Sequence, residues 1–135
     1  MIKNFFCVFC ICLLVFLFNS CAKTPGQGGN ASIKGKVWVK KYDPFFTILE
    51  YEYPGSDMTV ELTFGNNTSP DLSEKTNAAG EFQFLYLRKG RYKVTVYSKV
   101  FQNAQNPSGQ VPVEMVVNID NKKGSYDAGT LTVQR

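Results

Sequence analysis

The sequence contains no histidine, and its four cysteines all lie within the first 21 residues. Without histidine the chain lacks the usual general base, the commonest zinc ligand and every Ser–His or Cys–His nucleophile pair. The net charge of +4 is spread along 135 residues, which does not give the concentrated basic surface of a nucleic-acid-binding protein. These absences argue against histidine-dependent hydrolysis, a zinc site and a nucleic-acid partner.

The N-terminal segment combines one charge, Lys3, with an apolar run from Phe5 to Phe18. This run is shorter than the roughly 20 apolar residues that span a bilayer as a helix. It is followed by small and polar residues rather than by positive ones. A short positive segment, an apolar segment and small residues before a cleavage site form the pattern of a secretory signal. An ordinary signal peptide and an uncleaved anchor are the alternatives to the interpretation that follows.

The apolar run ends in Leu17-Phe18-Asn19-Ser20-Cys21, which resembles the lipobox of bacterial lipoproteins. Ser20 fits the small position before the cysteine, whereas Phe18 and Asn19 depart from the strictest form. The resemblance implies that residues 1–20 are a lipoprotein signal peptide and that Cys21 carries the lipid. Cys21 would then be the only cysteine left, so we expect no intramolecular disulfide. Residues 21–30 are rich in glycine and are predicted to be a flexible tether.

Alternation of apolar and polar residues dominates the rest of the chain and predicts β-strands. The clearest examples run through Ile33–Val39, Met58–Phe64, Phe82–Tyr86, Tyr92–Ser98 and Val113–Ile119, with Leu131 and Val133 near the end. No stretch after residue 21 has sustained helical periodicity. Short strands separated by Gly, Asn and Pro predict an all-β domain over residues 31–135, a seven- or eight-stranded antiparallel Greek-key sandwich.

Residues 76–94 carry a threonine, a glycine turn, an alternating Phe-x-Phe strand and then Leu87-x-x-Gly90-x-Tyr92. This pattern is similar to the signature of prealbumin-like domains, the group that includes transthyretin-like and carboxypeptidase regulatory-like modules. With the lipobox, the chain resembles an uncharacterised lipoprotein of the Bacteroidetes type. The signature implies architecture rather than activity. Tyr92 is expected to bury its ring and bond its hydroxyl to nearby backbone, as in a tyrosine corner.

A dense aromatic insertion between residues 41 and 53 interrupts the strand rhythm and is predicted to be a strand extension or hairpin arm. Exposed aromatic rings serve as sugar platforms and as anchors in protein interfaces, whereas packing in the core and at a sheet edge is the simpler role. The candidate binding surface has six members: Trp38, Tyr42, Phe45, Phe46, Tyr51 and Tyr53.

The expected function is that of a non-catalytic accessory module, held by its lipid at the bacterial outer membrane and contacting another envelope protein. The alternative is a surface-exposed module that binds a glycan or a host protein. A hydrolase that uses the carboxylates of Asp43, Glu50, Glu52 and Asp57 is less favoured, because two converging carboxyls need a deep cleft. No cofactor and no metal site are expected. A basic corner at Arg88, Lys89, Arg91 and Lys93 could contact anionic headgroups, although a solvated turn is the simpler interpretation.

Overall fold

Two four-stranded β-sheets pack face to face in the computed structural model, which describes residues 24–135. The predicted signal peptide and Cys21 lie outside the described residues. The strands are β1 (Gln27–Tyr42), β2 (Leu49–Pro54), β3 (Thr59–Phe64), β4 (Leu72–Lys75), β5 (Glu81–Leu87), β6 (Gly90–Lys99), β7 (Gln110–Ile119) and β8 (Lys123–Gln134). The prediction of an all-β sandwich is confirmed, with eight strands.

Strand β1 is the centre of the first sheet. One of its sides pairs with β8, and its other side pairs first with β5 and then with β2. The change of partner occurs at Val37, whose N–H donates to the Gly80 carbonyl at 2.7 Å and whose carbonyl accepts from the Gly55 N–H at 2.9 Å. The second sheet has the order β4-β3-β6-β7, so the chain crosses between sheets at the β2–β3, β4–β5, β5–β6 and β7–β8 connections.

The pairing of β1 with β8 is parallel, which corrects the prediction of a purely antiparallel arrangement; the other five strand pairings are antiparallel. The short segment 120–122 joins the end of β7 to the start of β8. Lys123, the first residue of β8, lies opposite Asn30 near the start of β1. Strand β8 therefore begins at the end of the sandwich where β1 begins. Since both strands start at that end and lie side by side, they run in the same direction.

The core fills the space between the sheets and consists of the inward residues of the alternating strands. The largest fully buried side chains are Tyr92, Phe84, Ile33, Leu62, Leu87, Leu131, Val37, Val39, Val60, Val94, Val96 and Val133. Alternation fails near the end of β5, where Tyr86 has a φ of 59° and is exposed while Leu87 is buried. This left-handed residue shifts the register against β1, where Leu87 lies opposite Ala31, as in a β-bulge.

The β-sandwich begins earlier in the chain than the predicted boundary at residue 31, because β1 starts at Gln27. The Gly26 N–H donates to the Tyr92 hydroxyl at 2.9 Å, and that hydroxyl donates to the Arg88 carbonyl at 2.7 Å. The predicted tyrosine corner at Tyr92 is thus confirmed, and it also fastens the incoming chain. Among residues 21–30, the part from Gly26 onward is not a free tether, since its backbone groups are used by the sandwich.

Candidate functional site: the aromatic β1–β2 hairpin

The aromatic insertion forms a hairpin in which the second half of β1 and the whole of β2 are joined by loop 43–48. Asp43 organises this loop by accepting hydrogen bonds from the Thr47 N–H and the Ile48 N–H, both at 2.6 Å, and from the Phe45 N–H. The bond from Ile48, with further bonds from Thr47 and Phe45, lowers the pKa of the Asp43 carboxyl. The carboxylate therefore fixes the shape of the loop that presents the aromatic residues.

One face of the hairpin carries a charged network around Trp38. The Trp38 Nε1–H donates to Glu52 Oε2 at 2.8 Å, and Lys40 Nζ lies 3.5 Å from Glu52 Oε1. Lys36 Nζ lies 5.3 Å from the centre of the Trp38 ring, within the range of a cation–π contact. The indole hydrogen bond, followed by the charge of Lys40, lowers the pKa of Glu52. Because Lys36 covers one side of the indole, Trp38 is not a free stacking platform.

The other face of the hairpin carries two tyrosines that are open to solvent. Tyr53 lies opposite Val39 and Tyr51 lies opposite Lys41, so both tyrosines point toward the side of the second sheet. Strand β3 pairs with β6 only along Tyr92–Thr95, and β4 lies beyond β3. Both tyrosines are exposed, with exposed fractions of 57% for Tyr51 and 37% for Tyr53. Their ring centres are 5.7 Å apart, with a tilt of 34°.

The outer edge of β2 has no strand partner in the described part of the chain. Antiparallel pairing directs the backbone groups of alternate residues toward the partner strand. The Gly55 N–H donates to the Val37 carbonyl of β1. The backbone N–H and carbonyl groups of Tyr53 and Tyr51, two and four residues earlier, therefore also point toward β1. Glu52 therefore presents its N–H and carbonyl to the open edge. Such a row of unpaired backbone groups is a template for another strand.

The six predicted binding residues do not form one surface. Trp38 belongs to the charged face, while Tyr42 and Phe46 are half-buried and stack on each other with ring centres 6.3 Å apart. Phe45, Tyr51 and Tyr53 are exposed, and Phe45 is 70% exposed. Two members of the apolar surface were missed, Ile48 and Leu49, which are exposed beside the tyrosines. Their position inside the aromatic insertion is the feature of the sequence that could have identified them as part of this surface. We call Phe45, Ile48, Leu49, Tyr51 and Tyr53 the apolar arm.

A shallow cleft of about 570 Å³ borders the β4–β5 turn and shares Lys36 with the charged face of the hairpin. It is lined by three lysines and three carboxylates, Lys34, Lys36, Lys75, Glu74, Glu81 and Asp127, so its charges balance. Within residues 24–135 no group of three His, Cys, Asp or Glu side chains is placed to hold a metal ion. The same residues include no helix that could cross a membrane.

No protein-family model matches the chain, and no curated protein matches its sequence. Among solved structures, the sandwich is similar to the crystal structure of a proposed carbohydrate-binding protein from Pseudomonas aeruginosa. The two chains are 17% identical, the match covers 84% of this chain and 93% of the other, and the TM-score is 0.48. A likeness of this size carries no functional information about this chain.

Proposed function

We propose that this protein is a non-catalytic, lipid-anchored envelope module that binds an extended segment of a partner protein along the open edge of β2. The proposal joins the lipobox resemblance at Cys21 with the prealbumin-like signature at residues 76–94. It places the module at the outer membrane of a Bacteroidetes-type cell. The observation that carries the binding function is the combination of the free β2 edge with the exposed apolar arm beside it.

Strand addition uses two kinds of contact, and β2 offers both. The backbone groups of Glu52 supply main-chain hydrogen bonds to an added strand. The side chains of Leu49, Tyr51 and Tyr53 supply apolar contacts on one face, because alternate residues of a strand point to the same side. An edge strand of a secreted domain is usually protected by charge, by a bulge or by a covering loop. Strand β2 carries Glu50, Glu52 and Pro54 and has a register irregularity against β1, but its six residues are all exposed or half-buried, so a partner can reach its backbone and its side chains.

The test places a photo-crosslinking amino acid at Tyr51 in the full chain in cells and compares two substitutions at Glu52. Glu52→Pro removes the outward N–H, while proline is tolerated when its missing N–H faces solvent on an edge strand. Glu52→Ala removes the same side-chain contacts to Trp38 and Lys40 but keeps the N–H. We expect a discrete adduct with Glu52→Ala and its loss with Glu52→Pro. Equal adducts in both variants would contradict pairing along this edge.

A glycan is the second candidate ligand, favoured by the exposed pair of tyrosine rings at Tyr51 and Tyr53. Sugar stacking depends on the rings rather than on the strand edge. Tyr51→Ala with Tyr53→Ala would then abolish binding to a glycan array, while Glu52→Pro would leave it intact. Retention by Glu52→Pro would favour the glycan, and absence of array binding by the unchanged protein would exclude the glycans tested.

A further inference from the structure

The chain enters the sandwich at the end that we call the basal end, formed by the start of β1 and the turns at 65–71, 88–89 and 120–122. Gly26 is fixed there by the Tyr92 hydroxyl and by the Arg88 N–H, which donates to the Gly26 carbonyl at 2.8 Å. Pro25 packs on Gly90 so closely that a Cβ atom on Gly90 would lie 2.3 Å from the proline ring. The first described residues are therefore held against the β5–β6 turn.

The basal end carries an excess of positive charge. Five cations, Arg88, Lys89, Arg91, Lys122 and Lys123, lie in or beside its turns, and all except the half-buried Arg88 are exposed. None of the five forms an ion pair with a carboxylate of residues 24–135. The two acids in these turns are Asp71 and Asp120. The Asp71 carboxylate accepts hydrogen bonds from the Phe64 N–H and from the Asn67 side-chain amide. Lys93, placed by the sequence in the same basic corner, pairs instead with Glu114 at 2.9 Å.

The length of chain between the anchor and the fold sets how far this end can be from the bilayer. Cys21 precedes Thr24 by three residues, and an extended chain spans at most about 3.6 Å per residue. A lipid on Cys21 would thus hold the basal end within about 11 Å of the headgroups. This distance is comparable to the screening length of about 8 Å at physiological salt, so the cations would feel a charged membrane surface.

We infer that the basal end is a membrane-contact surface whose cations bind the anionic headgroups of the bilayer that the lipid enters. The inference rests on the proposed function, because it takes Cys21 as the lipid attachment site. It adds an orientation to that function. Loop 43–48 and the apolar arm lie at the opposite end of β1, and 16 residues of strand at about 3.3 Å each correspond to roughly 50 Å. The contact would hold the binding edge away from the membrane.

The experiment uses the full chain, processed in cells, purified with its lipid and returned to vesicles. Asn121→Cys introduces a neutral reporter at the basal end, and Gln105→Cys introduces one in the β6–β7 loop at the opposite end of the sandwich. In vesicles containing phosphatidylglycerol we expect a soluble maleimide to modify the Asn121→Cys site several-fold more slowly than the Gln105→Cys site. This protection should weaken in phosphatidylcholine alone and at 1 M salt, where the screening length is about 3 Å.

Two double variants, each of which removes two lysine charges, distinguish contact at the basal end from a general effect of the protein's net charge. Lys89→Gln with Lys122→Gln should remove the protection, whereas Lys34→Gln with Lys99→Gln removes the same charge elsewhere and should leave it unchanged. Equal labelling rates in the two lipid compositions would overturn the membrane contact while leaving the anchor and the β2 edge intact. Intact mass reports the lipid separately, and a protein without lipid on Cys21 would overturn both the anchor and this orientation.

Discussion

Single side chains fix the local structure at each of the two ends of the sandwich. At the basal end Tyr92 is fully buried, and its hydroxyl joins the incoming chain at Gly26 to the β5–β6 turn at Arg88. Its ring packs edge-on against Phe64, with centres 5.6 Å apart. Burial raises the pKa of this hydroxyl, so it remains a neutral donor and acceptor across the physiological range. One residue therefore couples the incoming chain at Gly26, the β5–β6 turn and the core.

Tyr92→Phe should destabilise the domain without unfolding it. The substitution keeps the ring but leaves the Gly26 N–H and the Arg88 carbonyl without their partner, and a buried polar group left unpaired costs about 1–3 kcal/mol. Urea denaturation measures the loss in the free energy of unfolding at an unchanged m value. Tyr97→Phe is the matched control, since Tyr97 is exposed on the same strand. A Tyr92→Phe protein as stable as the control would contradict the role given to this hydroxyl.

Asp43 has the corresponding role in loop 43–48, and its hydrogen bonds predict a pH dependence. Since folding lowers the pKa of Asp43 below its ordinary value of 3.8, the bonds to Thr47 and Ile48 are fully present above that value. They are lost as the pH falls through the lower, folded-state pKa. A carboxyl titration followed by NMR should give a midpoint below 3.8. Asp43→Ala should speed amide exchange at Thr47 and Ile48 at neutral pH, whereas Asp120→Ala should not.

At the scale of the elements, the sequence predicted the strands whose inner and outer faces differ. Ile33–Val39 and Tyr92–Ser98 alternate in the sequence and are strands in the structure. Strand β4 was missed because Leu72–Lys75 contains a single apolar residue, and the first half of β8 was missed because Lys123–Asp127 is polar and contains a glycine. Both segments are strands because a neighbour supplies their hydrogen bonds, which alternation within the segment cannot show.

The candidate site was also predictable only in part, because alternation within a segment does not show which strands lie beside it. The aromatic insertion indicated a hairpin, and alternation places Trp38 on the face opposite Val39. The exposure of Tyr51 and Tyr53 depends on how much of this face the other sheet covers, a long-range feature of the packing that alternation cannot show. The free edge at Glu52 depends on which strands pair with β1, so the sequence could not distinguish an open arm from ordinary core packing.

The junction at which β1 changes partner is sensitive to a single added methyl group. Gly80 has a φ of +77°, and a Cβ atom there would lie 2.5 Å from the Val37 carbonyl oxygen. Gly80→Ala should therefore lower the free energy of unfolding by more than the about 1–2 kcal/mol that left-handed strain alone would cost. Gly109→Ala is the control, because Gly109 has a φ of +64° but only ordinary contacts at 3.5 Å or more. Thermal unfolding measures the loss of stability in both variants, and equal losses of stability would contradict close packing at this junction.

The whole molecule is proposed to be a tethered module with a membrane end and a binding end. Cys21→Ser should move the protein from the membrane fraction to the soluble fraction with the same unfolding temperature, because the contacts described for the sandwich all lie within residues 24–135. Cys12→Ser, within the predicted signal peptide, should leave the distribution unchanged. Fractionation with an antibody to the domain measures both variants. A Cys21→Ser protein that stayed with the membrane would contradict lipid attachment at this cysteine.

The central claim is that a partner strand pairs with the open edge of β2, and amide exchange at Glu52 tests it most directly. In the purified protein the Glu52 N–H faces solvent and should exchange rapidly. In the complex captured through position 51, the account predicts slowing of this amide by at least several-fold. An amide in the β7–β8 turn, at Asn121, should keep its rate. Unchanged exchange at Glu52 with the partner bound would show that the partner contacts side chains only, which would contradict binding by strand addition.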